Sequence, residues 1–381
     1  MNILTQRFIA VLNIVCMEGL IEMNNKDKKQ PVAWSKAYNK GRLNLIDVLP
    51  VDVPLCVCIE PTNVCNFKCL MCWQSAADYL QKGGPFEAMN EQIFKKIIDD
   101  LKDMVQKYNK RIKVIKLYST GEPMIHPKIG KMVRSIKASG ICDSLEITTN
   151  ASMLTEELAK EFIEAGLDYL RVSIYSVRAE RLSRITNQRK FTPDDIHDNI
   201  ERLYNLRKAA GAKKPFICAK IMDTHDEENE EFKASYKSIS DEQLIDIPWE
   251  LPATGEGELE KLYGGEPEGA VAQQKYLDTS LYKRRKACRY PFTHITLRNN
   301  GDAVVCCLDW PRATKIGNIM EESIDDIWHG KQLYDFRIMQ LKDHGKNHPL
   351  CATCELPLRD KPEDDIDALP IERLNWRDPY R

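Results

Sequence analysis

The sequence predicts an α/β protein: a partial (β/α)6 barrel followed by a small C-terminal β-hairpin plus helix module. Three observations predict it. Strand-like apolar runs alternate with helix-like amphipathic stretches, giving about six strands between Cys56 and Leu251, and strands separated by helices imply a parallel sheet. The stretch from Pro252 to Gly269, rich in Gly, Pro and Glu, then breaks the alternation and reads as a linker. Beyond it, two apolar runs flank Asn300-Gly301, a strong hairpin signal. Eight β/α units close a barrel, whereas six leave it open.

Taken in order, "CVCIEP" from Cys56 is a buried strand. Asn90 caps the next helix, with Ile93, Ile97, Leu101 and Met104 on one stripe. "KVIKLYS" is a strand, and the helix after it has Pro127 near its start and Gly140 at its end. "SLEITTN" precedes a helix capped by Thr155 and closed by Gly166. "YLRVSIY" precedes a helix with Thr192 as cap, Pro193 in the first turn and Gly211 past the end. "PFICAKIM" and "LIDIPWEL" are strands around a polar helix starting near Asp226. In the C-terminal part, "HITLR" and "AVVCCL" form the hairpin, Glu322–Lys342 forms one helix, and "CATC" follows. The acidic stretch from Lys361 reads as extended or partly disordered. Ligands of such folds sit at the C-terminal ends of the strands, which gathers the loops after Pro61, Ser119, Thr148, Ser173 and Pro248 around one mouth.

Composition excludes several classes. The chain has 381 residues, 43% apolar and 29% charged, with a net charge of −2. That balance gives no polyanion-binding signal, so nucleic acid is not an expected partner. No apolar run reaches the length of a membrane span. The opening "FIAVLNIVCMEGLI" lacks a basic flank and a small-residue cleavage site, so it reads as a docking helix rather than a signal peptide. A cytoplasmic location is expected, where the 13 cysteines stay reduced and clustered ones point to metal. Cys16, Cys56, Cys58, Cys142 and Cys218 are scattered and read as buried small hydrophobes.

The clustered cysteines carry the chemistry. Cys65, Cys69 and Cys72 are spaced C-x3-C-x2-C in "CNFKCLMC". Three thiolates hold three corners of a [4Fe–4S] cluster, whose irons normally take four, and leave one iron open. A zinc site needs a fourth ligand nearby, and the nearest histidine, His126, is far down the chain.

This motif resembles that of the radical S-adenosylmethionine (radical SAM) superfamily. The resemblance implies that the open iron chelates the amino and carboxylate groups of SAM. Reductive cleavage then yields a 5′-deoxyadenosyl radical that abstracts a substrate hydrogen. An external one-electron reductant such as flavodoxin or ferredoxin is implied as a partner. "STGEP" resembles the family's G-G-E-P segment, which carries Thr120, Gly121 and Glu122 over as ammonium-binding positions, with Glu122 as the acid. Thr148 and Asn150 in "TTN" match a segment near the SAM ribose, and Ser173 matches a position that contacts its polar groups. Arg184 is a looser match for the SAM carboxylate, with an exposed helix arginine as the competing reading. Met71 stands where the family commonly has an aromatic residue, with Trp73 just after Cys72, and Thr120 replaces the first glycine.

A second group comprises Cys288, Cys306, Cys351 and Cys354. By itself it could be a structural zinc site. Its context, "NGDAVVCC", "IGNI" and a closing C-x2-C, resembles the SPASM/twitch extension of radical SAM enzymes. No cysteine follows Cys354, so one auxiliary [4Fe–4S] cluster with four protein ligands is expected. Cys306 and Cys307 are adjacent and would face opposite ways on a strand. Cys306 is taken as the ligand, and Cys307 as a core thiol or hydrogen-atom donor. The resulting division is 1–50 N-terminal extension, 51–255 barrel, 256–285 linker, 286–357 auxiliary-cluster domain and 358–381 tail.

A fully ligated auxiliary cluster implies electron transfer, and hence oxidation of an alcohol carbon on a sugar- or cyclitol-like small molecule. Epimerisation with a cysteine hydrogen donor and modification of a ribosomal peptide are the alternatives. The segment before Val51 lacks the hairpin pattern of a peptide-binding winged helix. Trp249 and Glu250, ending the sixth strand, are candidate substrate contacts, against a core Trp and a solvated Glu. Asp302 in "NNGD" reads as a turn residue.

Overall fold

The computed structural model describes residues 43–246, 285–343, 345–352, 354 and 356–374. Cys16, the opening apolar segment, Trp249, Glu250 and most of the 256–285 linker lie outside the described residues.

Six parallel strands form the body: β1 (Cys56–Ile59), β2 (Ile112–Leu117), β3 (Cys142–Thr149), β4 (Tyr169–Ile174), β5 (Phe216–Met222) and β6 (Glu242–Asp246). The helices between them are α1 (Glu91–Tyr108), α2 (Ile129–Ser139), α3 (Glu156–Ala165), α4 (Ala179–Thr186), α5 (Pro193–Ala209) and α6 (Glu228–Tyr236). Their starts are written locally. Asn90 accepts the Ile93 amide at 2.9 Å, Thr155 that of Leu158 at 3.2 Å, and Thr192 closes a capping box with Asp195. Gly140 and Gly166 end α2 and α3 in the left-handed region. The α1 stripe Ile93, Ile97, Leu101 and Met104 is buried as predicted.

The C-terminal module contributes β7 (His294–Leu297), β8 (Asp302–Val304) and β9 (Lys315–Asn318). β7 pairs in parallel with β1, so the sheet runs β6-β5-β4-β3-β2-β1-β7-β8-β9 without interruption. The hairpin turns at Gly301 with φ 91°. One core accordingly spans both parts, from Ile97 and Leu145 to Ile316, Ile327 and Trp328.

Several expectations are corrected. Glu322–Lys342 is not one helix but two, α7 (Ile324–His329) and α8 (Lys331–Leu341), broken at Gly330 in extended conformation. A Cβ at Gly330 would lie 2.7 Å from the Asp326 carbonyl oxygen. The tail is not extended up to Leu374: Ile366, Leu369 and Leu374 pack with Leu45, Leu49, Ala287 and Phe292 into a second core. Polar composition hid these three apolar anchors. Asp302 opens β8 rather than the turn and pairs with Lys315 at 2.7 Å. β8 ends at Val304, so Cys306 and Cys307 lie past the strand that was to orient them. Strand β9 was not anticipated, and helix α4 only through the reading of Arg184 as an exposed helix arginine.

Candidate functional site

Successive residues of a strand alternate between faces. Here Val57, Ile115, Leu145, Ile147, Leu170, Val172, Ile217 and Ile295 belong to the core under the helices. Their neighbours Cys58, Lys116, Glu146, Arg171, Lys220 and His294 therefore face the barrel lumen. Lys220 pairs with Asp246 at 2.6 Å. Arg171 donates to the hydroxyls of Thr148 and Tyr118, each at 3.0 Å. This interior is polar and charged, unlike the outer face of the same strands.

At the mouth, a cavity of about 240 Å3 is lined by Cys65, Cys69 and Cys72 together with Thr120, Gly121, Glu122, Thr148, Asn150 and Ser173. The structure thus brings together every position predicted for the first cluster and SAM except Arg184, which is exposed on α4 and does not line the cavity. The cysteine loop is pinned by the Lys68 and Leu70 amides, which donate at 2.9 Å to the carbonyls of Thr186 and Ile185. Burial raises all three thiols, Cys65 to about 12. They stay protonated until a metal displaces the protons.

Glu122 is buried and accepts from the Thr149 hydroxyl at 2.6 Å, the Asn150 amide at 2.8 Å and the Met124 amide at 3.1 Å. It ties the β2 loop to the β3 loop. Burial still lifts its pKa to about 6, against the pull of these donors, and a cation placed beside it would reverse that lift. Gly121 is obligatory, since a Cβ there would lie 2.3 Å from the Thr62 carbonyl oxygen. The Thr120 hydroxyl donates to the buried Glu60 at 2.5 Å. Its replacement of glycine is thereby accommodated.

Among the lining residues not assigned to the site from sequence, Tyr175 and Trp73 bear most on the cluster. Tyr175 is half-buried beside all three thiols and hydrogen-bonds Cys69. Its place two residues after Ser173 on the same face was the available signal. Trp73 lines the cavity with its indole Nε1 buried and without a partner among the described residues. Three converging thiols, a buried acid and an orphaned donor fit an iron–sulfur cluster with a polar, cationic co-ligand.

The distal group is assembled by contacts from three segments. Cys306 lies within electrostatic reach of Cys288, Cys288 of Cys354, and Cys354 of Cys351. Gln340 on α8 links two of them, accepting the Cys288 amide at 3.2 Å and donating to Cys351 Sγ at 3.7 Å. Four thiols of one neighbourhood fit a fully ligated cluster. The Cys307 thiol hydrogen-bonds that of Cys306, so the two adjacent side chains do not point to opposite faces, and it also lies within electrostatic reach of Lys116, Arg298 and Cys58.

Arg298 joins the two sites. It is 1% exposed and donates to Glu60 at 3.1 Å, to the Ser119 hydroxyl at 2.7 Å and to the Asp309 carbonyl oxygen. Nearby, His294 has a defined tautomer. The Thr293 hydroxyl gives its one proton to the Arg289 carbonyl at 2.8 Å, so at 2.7 Å from His294 Nδ1 it must accept. Nδ1 therefore carries the proton, and Nε2 keeps a lone pair with no partner among the described residues. Burial, with Arg289 and Lys116 nearby, holds this imidazole neutral.

Comparison with known proteins agrees with this geometry. The model of the radical SAM superfamily matches residues 59–239, and that of the SPASM iron–sulfur cluster-binding domain matches residues 288–355. The chain belongs to the radical SAM superfamily and carries a C-terminal SPASM domain. It is therefore a radical SAM enzyme, with SAM and a [4Fe–4S] cluster at the first site and auxiliary iron–sulfur binding at the second. The tungsten-containing aldehyde ferredoxin oxidoreductase cofactor-modifying protein of Pyrococcus furiosus is 24% identical over 78% of this chain and 86% of its own length. A probable GTP 3′,8-cyclase of Thermococcus kodakarensis is 33% identical over 34% of this chain and 37% of its own length. Streptococcus suis SuiB bound to S-adenosylmethionine shares the fold at TM-score 0.55 and 17% identity, covering 85% of this chain and 78% of SuiB. Among the described residues, no helix is long and apolar enough to cross a membrane.

Proposed function

We propose that this enzyme dehydrogenates an alcohol carbon of a small, polyol- or sugar-like molecule. The observation that carries the reading is the pairing of a three-cysteine site with a separate four-cysteine group beside one polar lumen. When bound, the two iron–sulfur clusters and SAM would supply a 5′-deoxyadenosyl radical at the mouth and an electron acceptor, a single auxiliary cluster, at the distal end.

The protein's own residues do the rest. Cys65, Cys69 and Cys72 hold the first cluster, and Cys288, Cys306, Cys351 and Cys354 the second. Glu122 receives the SAM ammonium while Gly121 lets the loop approach closely. Asn150, Thr148 and Ser173 line the ribose and polar side, and Tyr175 fixes Cys69. Within the lumen, paired charges such as Lys220–Asp246 offer hydrogen bonds to hydroxyls. His294 Nε2 takes the hydroxyl proton as the carbinol carbon loses its hydrogen, because its other nitrogen already donates to Thr293. Glu250 remains a candidate substrate contact.

A second reading comes from the Pyrococcus relative, whose name makes it a modifier of an oxidoreductase cofactor. Similarity across both modules favours it, and the substrate would then be a small organic cofactor carrying the same carbinol chemistry.

The test is anaerobic reconstitution with iron and sulfide, then SAM, reductant and a panel of cyclitols, sugars and oxidoreductase cofactors. About eight irons per chain are expected for two four-iron clusters. Deuterium moving from substrate into 5′-deoxyadenosine, with a ketone formed per SAM consumed, supports dehydrogenation. Solvent deuterium fixed at carbon, and lost in Cys307→Ala or Cys218→Ala, would instead mean epimerisation. Absence of 5′-deoxyadenosine across the panel would count against both.

A further inference from the structure

Large apolar side chains are rarely exposed together on a soluble surface without a partner. Here Leu80 is 59% exposed and Phe86 39%, and both lie on the segment that follows the cluster cysteines. Phe86 is the outer end of a ring stack. It lies 5.4 Å from Tyr79 at 18°, and Tyr79 lies 5.6 Å from Trp310 at 17°. Trp310 is buried on the same loop as Cys306 and Cys307, and the Tyr79 hydroxyl donates to Thr120 Oγ1 at 3.2 Å. Through Tyr79 the exposed ring is thus linked to Thr120 at the first site and to Trp310 on the Cys306–Cys307 loop.

The charge around this patch is one-sided. Lys68, between Cys65 and Cys69, is exposed and holds its ammonium 4.5 Å above the Phe86 ring. Through the backbone bonds of Lys68 and Leu70, the cysteine loop is docked on the end of α4, where Arg184, Arg189 and Lys190 are all exposed. Lys82 is paired with Asp78 at 2.5 Å, and Glu87 is the other acid on the segment. Against a chain net charge of −2, this is a local cationic rim around an apolar centre. Such a surface suits a partner with an acidic rim and an apolar contact.

We infer that the Leu80–Phe86 surface, rimmed by Lys68, Arg189 and Lys190, is the docking site of a small acidic one-electron carrier that reduces the enzyme. The inference rests on the radical SAM reading and adds a place to it. The patch adjoins the cysteine loop through Lys68, whose ammonium sits over Phe86, and a carrier seated there meets the ring stack that runs inward to Trp310.

The experiment uses the full-length holoenzyme and an acidic flavodoxin with its reductase as the electron source, with dithionite as a small chemical reductant for comparison. Leu80→Ser and the double variant Arg189→Glu/Lys190→Glu leave every group assigned to the cofactors intact. Expected is a rise of about tenfold in the flavodoxin concentration for half-maximal 5′-deoxyadenosine formation, with the dithionite-driven rate unchanged. Flavodoxin shift mapping by NMR, which needs no turnover, should show the same loss of affinity and its weakening by salt. A photo-crosslinking residue at position 80 should capture flavodoxin. Capture of this chain's own residues 1–42 at that position, or unchanged flavodoxin affinity in both variants, would overturn the proposal. If the wild type forms no 5′-deoxyadenosine even with dithionite while flavodoxin still binds and crosslinks at the patch, the radical SAM reading fails and the docking surface stands.

Discussion

The two cysteine groups differ in how they are built. The proximal triad sits on one loop, within eight residues from Cys65 to Cys72, and its surroundings come from the ends of several strands. The distal group takes four cysteines from three separated segments and depends on Gln340 and the packed tail to hold them. A local motif tolerates changes elsewhere and leaves a corner open for a co-ligand. A dispersed set closes only when the whole module has folded. The difference teaches that one site is specified by sequence spacing and the other by tertiary structure.

The sharpest way to break the comparison is to remove one ligand from each group. Cys65→Ala should abolish 5′-deoxyadenosine formation, whereas Cys354→Ala should leave SAM cleavage measurable while ending product formation. Iron content should fall by about half in either case. Next in size is Arg298→Met. Removing one partner of a buried ion pair costs about 3–5 kcal/mol, and the loss should appear in chemical denaturation of both modules together. His294→Phe keeps the ring stack on Tyr290, 4.2 Å away, but removes the proton acceptor. Product formation should fall at least about 100-fold, with deuterium transfer into 5′-deoxyadenosine retained. Glu122→Gln keeps the shape and loses the charge, and SAM affinity measured by calorimetry should drop about 10- to 100-fold.

The smallest effect lies outside both sites. Asp168 bonds the Leu145 amide at 2.8 Å, Lys137 at 2.6 Å and Lys214. Although burial opposes it, these partners hold its carboxyl below the usual value. Its stabilisation is therefore present above about pH 4 and lost as pH falls through the native value. Asp168→Asn should cost about 1 kcal/mol at pH 7 and flatten that acid limb in urea unfolding.

Legibility in the sequence followed the range of the interaction. Asn90, Thr155 and Thr192 announce helix starts because each cap reaches an amide three residues away. The cysteine triad was legible from its own spacing, and Gly121 and Glu122 only through the resemblance of "STGEP" to a family segment. Arg298 was not legible, because its partner Glu60 comes from the register of β7 on β1, across more than two hundred residues; His294 bonds its neighbour Thr293, but its place facing the lumen is set by that same register. Tyr175 needed the packing of β4 against the cysteine loop. Gly330 reads as a weak helix residue, and only the approach of the Asp326 carbonyl makes it a break.

The parallel pairing of β7 with β1 has a consequence for how this protein can be cut. β1 is buried along its whole length and lies in the middle of the nine-stranded sheet. A fragment ending before Arg285 would strip one side of that strand and leave an apolar edge with unpaired amides and carbonyls. Such edges recruit other chains. The isolated barrel would thus be an aggregating species rather than a simplified catalyst, and the C-terminal module acts as an edge guard as well as a carrier of cysteines.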